Sequence, residues 1–418
     1  MVFAMDGTPT LRGGDDETDP VASFLPADAV APITVAPLIP AIRAQSEQAD
    51  HTRRLDPDLI TAIKRSDAMR LSATREIGGC EATILQIGRE LEAVAAACAS
   101  TAWTLWNHLA VFHLFVGTLG PDHTKFLTDI VVRGEWVCFP AGAGSGVGGM
   151  IDGDEVVLTG RGSFASGSRH ADWAGVVFAV VDEQGDRVEP LDLRFGVVRL
   201  DDGVRIDPTW DGSGVRASAT DDVRYEDTRV PLERCTRWFG ANRAETLRDV
   251  PVVAHRYRED WVGLSDVWLG WMGVGLVRAA LAEATASIRH RRSIMGKAMV
   301  TRPTVQVNLG HAAALVAAAT ATVTTACHEI DVRIDSCRTP TEADYLRQMA
   351  LSTSALDQLG EAMALLMRCQ GGNGLREGGL FERRWRDFQV MPLHINAHRD
   401  RIHHQLGRFV LGEPLEPF

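Results

Sequence analysis

Apolar residues recur at i, i+3, i+4 and i+7 through PDLITAIKRS and through ATILQIGRELEAVAAACASTAWTLWNHLAVFHLF, which predicts an N-terminal α-helical domain over about residues 28–134. From about 135 the period changes. VVLTG, WAGVVFAVV, FGVVRL and VRYED are short Val-rich runs set between DG, GD, DDG and DGSG turns, and they predict a compact β-sheet or barrel domain over 135–236. After VPLERC the helical period returns in WVGLSDVWLGWMGVGLVRAALAEATASIRHRR, in 304–332 and in 341–370, so a helical bundle is expected over 237–418. The expected class is α+β multidomain, with helices, then strands, then helices. Few architectures segregate their elements in this order.

Composition narrows the picture. A chain of 418 residues, 45% of them hydrophobic, suffices for two or three cores. The polar, acidic start GTPTLRGGDDETDP (7–20) lacks periodicity, and residues 1–27 are expected to form a disordered leader without the charged and apolar regions of a signal peptide. The long uncharged run GHAAALVAAATATVTTAC (310–327) carries His311 and is expected to be a packed bundle helix, not a membrane span. Formal charge is −12 with no Lys/Arg block, which argues against a nucleic-acid partner. The seven cysteines are scattered and never spaced C-x-x-C, so neither a disulfide framework nor a zinc knuckle is expected, and a cytoplasmic location fits best. GSGVGG (144–149) satisfies G-x-G-x-x-G, but a strand pattern follows it, so no helix dipole is available to cradle a phosphate. No nicotinamide site is expected.

Four segments carry candidate chemistry. CQGGNGL (369–375) follows a long helix. It reads either as a helix C-cap or as a loop in which Gly371 and Gly372 bring backbone close to a ligand while Gln370 offers an amide. RRSIMGKA (291–298) is a basic helix end that also suits anion pairing through Arg292. GRGSFASGSRHADW (160–173) places Ser166, Gly167 and Ser168 in a turn between strands. RRWRDFQVMPLHINAHRDRIHH (383–404) holds four histidines within eleven residues. His398, His403 and His404 lie at helical spacing among charged residues and read as a solvated face, not a metal site, since no carboxylate or thiolate cluster accompanies them.

Together, over roughly residues 30–412, these segments resemble the acyl-CoA dehydrogenase superfamily. That resemblance implies an N-terminal α domain, a middle β domain and a C-terminal four-helix bundle, assembled as a homotetramer. It implies that Gln370, Gly371 and Gly372 touch the flavin of a neighbouring subunit, that Arg292 pairs a flavin phosphate, and that Ser166, Gly167 and Ser168 lie along the flavin N5 edge. Met295 stands where the family usually has an aromatic residue, and GVRASATDDV (214–223) resembles the closing loop of the middle domain. Where acyl-CoA dehydrogenases often present a Glu-Gly-Thr base, this chain has His394, seven residues beyond Asp387.

That substitution is similar to the two-component flavin-dependent monooxygenase branch, which includes dibenzothiophene monooxygenase and the oxygenase component of 4-hydroxyphenylacetate hydroxylase. STAWTLWNHL (100–109) resembles the helix that supplies a further active-site histidine there, which falls on His108. The resemblance implies FMNH2 or FADH2 delivered by a separate flavin reductase, O2 as co-substrate, and a C4a-hydroperoxide that hydroxylates or N/S-oxidises a small, largely apolar or aromatic molecule. His394, Ser166 and His108 would be catalytic, with His394 the proton donor or base because a reference imidazole titrates at about 6.5. Trp103, Trp106, Phe112 and the segment Met391 to Ile395 would enclose the substrate. No metal is expected. An acyl-CoA dehydrogenase or flavin oxidase with its base elsewhere, and a non-catalytic flavin-binding relative, are the alternatives.

Overall fold

The computed structural model describes residues 20–25, 31–140, 146–201, 203–238 and 250–416. The leader expected at 1–27 lies mostly outside these. Helices come first: α1 (Pro20–Phe24), α2 (Ile39–Thr52), α3 (Pro57–Arg65), α4 (Ile84–Ala97), α5 (Ala99–Leu119) and α6 (Thr124–Arg133). Strands follow: β1 (Val137–Cys138), β2 (Gly146–Asp152), β3 (Glu155–Ala165), β4 (Trp173–Val181), β5 (Leu193–Arg199), β6 (Val204–Asp207), β7 (Asp221–Pro231) and β8 (Cys235–Arg237). The chain then returns to helix in α7 (Trp261–His290), α8 (Pro303–Asp335), α9 (Glu342–Gln370), α10 (Leu380–Val390) and α11 (Arg399–Val410).

Local chemistry sets several of these boundaries. The Asp56 carboxylate accepts from the Asp58 and Leu59 amides at the start of α3, Asp260 caps α7, and Thr341 and Asp344 form a reciprocal capping box at α9. The strands make one mixed sheet in the order β6-β7-β3-β2-β4-β5-β8, with β1 and β2 both parallel to β4. Gly146 to Gly149, the described part of the glycine-rich 144–149 segment, pair with β3 as ordinary ladder residues.

α7 runs through the middle of the helical part, packed against α4, α5, α8 and α9, and it buries Trp268 and Trp271 completely. Close approach explains two glycines: a Cβ at Gly88 would lie 2.4 Å from the Trp271 ring, and one at Gly275 would lie 2.2 Å from the Glu92 carbonyl oxygen. The buried Arg333 of α8 grips Glu259 through Nε at 2.7 Å and Nη2 at 2.6 Å, pinning the start of α7. Among the described residues two helices, α7 and α8, are long and apolar enough by length and composition to span a membrane. α7 is core. α8 instead leaves Val307, His311, Ala314, Ala318, Ala321 and Thr325 exposed at successive turns of one face.

Candidate functional site

α5 is buried at every position except Asn107 and Thr118, which is why its sequence is apolar all round instead of amphipathic. Trp103 and Trp106, three residues apart, share one of its faces. Against that face stands His394. Pro392 helps end α10, and two tight turns, Met391–Leu393 and Ile395–Ala397, hold His394 between them in extended conformation. Its imidazole meets Trp106 edge-on at 4.9 Å between ring centroids and Trp103 at 5.6 Å. The Asn396 amide donates to His394 Nδ1 at 3.2 Å, the Asn396 side chain donates to Ser265 Oγ at 2.9 Å, and Trp106 Nε1 donates to the Ser265 carbonyl at 2.7 Å. Met391 is fully buried beside this group, whereas Leu393 and Ile395 point outward at 72% and 50% exposure. Of the expected enclosure from 391 to 395, Met391 and His394 therefore contribute and those two apolar side chains do not.

Burial, reinforced by the positive charge of Arg401, pushes the His394 pKa down to about 4. The ring is thus neutral at pH 7. With Nδ1 occupied as an acceptor, the proton sits on Nε2, so His394 offers a neutral N–H donor and not the imidazolium near its midpoint that its reference pKa suggests.

The turn after β3 supplies the second part of the site. Trp103 Nε1 donates to Ser166 Oγ at 2.9 Å, Ser166 Oγ lies 3.0 Å from Thr220 Oγ1, and Thr220 Oγ1 lies 2.7 Å from Ser218 Oγ. Ser166 joins the indole cluster to a row of hydroxyls. Gly167 and Ser168 do not present themselves in the same way: the Gly167 amide donates to the Ser218 carbonyl at 2.9 Å, and both the Ser168 amide and hydroxyl donate to the Ala219 carbonyl. The amides of Gly167 and Ser168 are thus engaged within the chain, because residues 215–220 fold back onto this turn. That fold-back is strained, with Phe164, Val215 and Ala219 all at positive φ. Val215 is held by its amide donating to Asp387 at 2.7 Å, and Ala217 by its amide donating to Ser100 at 3.2 Å. The Thr220 and Ser218 hydroxyls escaped sequence reading, although both sit in the ASAT of the recognised closing loop. Asp387 itself is pushed up to about 6, chiefly by burial.

Beside this turn, Trp136 Nε1 and His170 Nε2 are buried without a partner, with ring centroids 6.2 Å apart. A Cβ on Gly167 (φ +78°) would lie 3.1 Å from Trp136 Nε1. A cavity of about 460 Å³ opens next to them, lined by Arg53, Leu55, Ile60, Lys64, Arg169, His170, Ala217 and Ala219.

Three expected residues lie elsewhere. His108 is two positions beyond Trp106, on the opposite side of α5 from the indole face. Its Nε2 contacts the Met69 carbonyl at 3.1 Å and its Nδ1 accepts from the Val137 amide at 3.1 Å. Both nitrogens are spent on backbone, which marks His108 as a bridge between α5 and β1 and not a group free for catalysis. Phe112 follows His108 into the same layer, in the core shared with Phe115, Ile130 and Val137, away from His394. Arg292 is exposed in a hairpin and donates to its own loop at Gly296, whereas the neighbouring Arg291 holds Gln370 through the amide oxygen at 2.8 Å and the carbonyl at 3.0 Å. The amide oxygen expected at Gln370 is therefore engaged within the chain. Gly371 caps α9 at φ +57°, and open space surrounds the Cβ positions of Gly371 and Gly372. Among the described residues, no group of three metal-ligating side chains converges.

Comparison with known proteins bears on the fold and the reaction class. Residues 267–399 match the acyl-CoA dehydrogenase C-terminal domain family. The chain is 24% identical over 397 residues to the flavin-dependent monooxygenase oxygenase subunit HsaA of Rhodococcus jostii (strain RHA1), covering 90% of this chain and 97% of that protein. Among solved structures, XiaF from Streptomyces sp. in complex with FADH2 and glycerol superimposes with a TM-score of 0.82 at 21% identity, covering 92% of this chain and 95% of XiaF. Dibenzothiophene monooxygenase TdsC from Paenibacillus sp. A11-2 gives a TM-score of 0.76 at 19% identity, covering 91% and 97%. The fold is that of the acyl-CoA dehydrogenases.

Proposed function

We propose that this chain, built on the acyl-CoA dehydrogenase fold and related over most of its length to oxygenase subunits, is the oxygenase component of a two-component flavin-dependent monooxygenase. It takes reduced FMN or FAD from a separate flavin reductase, uses O2 as co-substrate, and hydroxylates or N/S-oxidises a small, largely apolar or aromatic molecule. The observation that carries this reading is the neutral imidazole of His394 set edge-on against Trp103, whose indole in turn donates to Ser166.

The residues present fit a flavin. The Ser166 hydroxyl heads a row of side-chain hydroxyls, and Trp136 Nε1 and His170 Nε2 remain unpartnered for the polar edge of a planar heterocycle. When bound, the reduced flavin supplies the activation of dioxygen. The protein's own tasks are different. Trp103 and Trp106 exclude water, Ser166 orients a polar edge, and His394 Nε2 donates a hydrogen bond without releasing a free proton. The dehydrogenase alternative lacks comparable support: curated relatives that align over most of this chain are named monooxygenases and hydroxylases, and the buried Asp387 carboxyl is tied to the Val215 amide.

Stopped-flow mixing of the protein and reduced FMN or FAD with oxygenated buffer tests the proposal. The expected result is a long-lived, oxygen-dependent absorbance distinct from both reduced and oxidised flavin, with weak retention of the oxidised form. Tightly held yellow FAD together with dye-coupled oxidation of an acyl-CoA would overturn it.

A homotetramer belongs to the same reading. The exposed face of α8 and the protruding hairpin side chains Ile294 and Met295 are apolar surface that a second copy would cover. Sedimentation is expected to give four times the 45.5 kDa chain mass. A monomer at micromolar concentration would remove this part.

A further inference from the structure

Ser265 of α7 receives two hydrogen bonds from different parts of the site. Its carbonyl accepts from Trp106 Nε1 at 2.7 Å, and its hydroxyl accepts from the Asn396 side chain at 2.9 Å. Trp106 is the ring that lies 4.9 Å from His394, and Asn396 is the residue whose amide caps His394 Nδ1. One residue of the core helix therefore fixes both the surface the imidazole rests on and the loop that carries it. Arg401 adds a third restraint, donating from Nη2 to the Asn396 carbonyl at 3.3 Å. Both Ser265 and Asn396 are buried, at 1% and 5% exposure, so water does not compete for these bonds. The flanking side chains Leu393 and Ile395 are exposed and add no packing to this restraint.

We propose that Asn396 and Ser265 are positioning residues, a clamp that fixes the His394 imidazole with Nδ1 as acceptor and Nε2–H directed at the reacting ligand. The assignment rests on the monooxygenase reading for its consequence, but not for its geometry. The logic is steric as well as polar. An imidazole between two short turns can rotate about its side-chain torsions unless one nitrogen is held, and the Asn396 amide holds Nδ1 only while the Asn396 side chain is anchored. Substituting that side chain leaves the amide in place and releases its anchor.

Two measurements test the clamp, the first of them independent of the activity. The first is exchange of the imidazole C2–H of each histidine, followed by mass spectrometry at neutral pH. In Asn396→Ala and Ser265→Ala, His394 is expected to exchange several-fold faster than in the unaltered protein while His108 stays unchanged. Ser265→Thr, which keeps the hydroxyl, should restore the slow rate. The second is the partition of oxygen between product and hydrogen peroxide. Asn396→Ala is expected to lower product formation by about tenfold to a hundredfold, in favour of peroxide, with binding of reduced FMN unchanged.

Faster exchange at His394 in the variants, with an unaltered protein that gives no oxygen-dependent flavin absorbance, supports the clamp and removes the monooxygenase reading. Unchanged exchange at His394 with full product yield in Asn396→Ala overturns the clamp and leaves that reading intact. Equal acceleration at His394 and His108 reports general loosening and also overturns it.

Discussion

Replacement of His394 by alanine is expected to reduce product formation by roughly 10² to 10³, the usual cost of removing one preorganised hydrogen-bond donor, while binding of reduced flavin stays near that of the unaltered protein. Flavin retention follows because the Ser166–Thr220–Ser218 hydroxyl row, Trp136 and His170 do not depend on the His394 ring. Oxygen should still be consumed, with hydrogen peroxide replacing product. The pH profile is informative as well. Since the pKa of His394 lies near 4, its Nε2–H is present throughout the neutral range, and the product yield attributable to it should be flat between about pH 6 and 8. A profile that falls on the alkaline side of about 6.5 would require an imidazolium there. Product formation in His394→Ala above about a tenth of the original rate would remove this residue from the chemistry.

The second large effect concerns His108 and is one of stability. His108→Ala strips the Val137 amide of its acceptor and the Met69 carbonyl of its partner, both buried, and leaves a cavity in the α5–β1 layer. At about 1 to 3 kcal/mol per orphaned buried group, the variant should be about 3 kcal/mol or more less stable at pH 7. That gap depends on pH with a definite sign. Burial lowers the folded pKa of His108 to about 4, against about 6.5 in the unfolded chain, although the bond to Met69 works the other way. Between those values the unfolded state binds more protons than the native state, so the stabilisation is fully present above pH 6.5 and is lost progressively as pH falls towards 4. Denaturant melts of the two proteins should therefore diverge most at neutral pH and converge by about 3 kcal/mol at pH 4. A gap that stays constant across this range would contradict the bridge. Large loss of turnover in a fully stable His108→Gln protein would return His108 to the active site.

The two histidines show why part of the site was legible and part was not. His394 stands out because Pro392 and the missing Glu-Gly-Thr are properties of a contiguous segment. His108 lies in an equally suggestive segment, STAWTLWNHL, yet each residue of a helix turns about 100° from the last. Trp103 and Trp106 face the loop, while His108 and Phe112 face the sheet. In a helix apolar on all sides, no periodicity distinguishes those faces. The same limit applies to the adjacent arginines: Arg291 reaches inward to Gln370 and Arg292 points out, a difference decided by one step of chain direction at the end of α7. Thr220 and Ser218 were hidden because a hydroxyl in a turn is unremarkable until another turn, here the one at Ser166, is brought against it.

By itself the amino-acid order determined the succession of helical, extended and helical regions and the family likeness of its loops, since hydrophobic period and short motifs are written in neighbouring residues. Tertiary structure alone decided which side chains meet: that Ser265 of α7 joins Trp106 to Asn396, and that the amides of Gly167 and Ser168 are consumed by Ser218 and Ala219. Those contacts link residues from 51 to 159 positions apart, and their partners are set by how buried faces of separate elements pack, which no local pattern encodes.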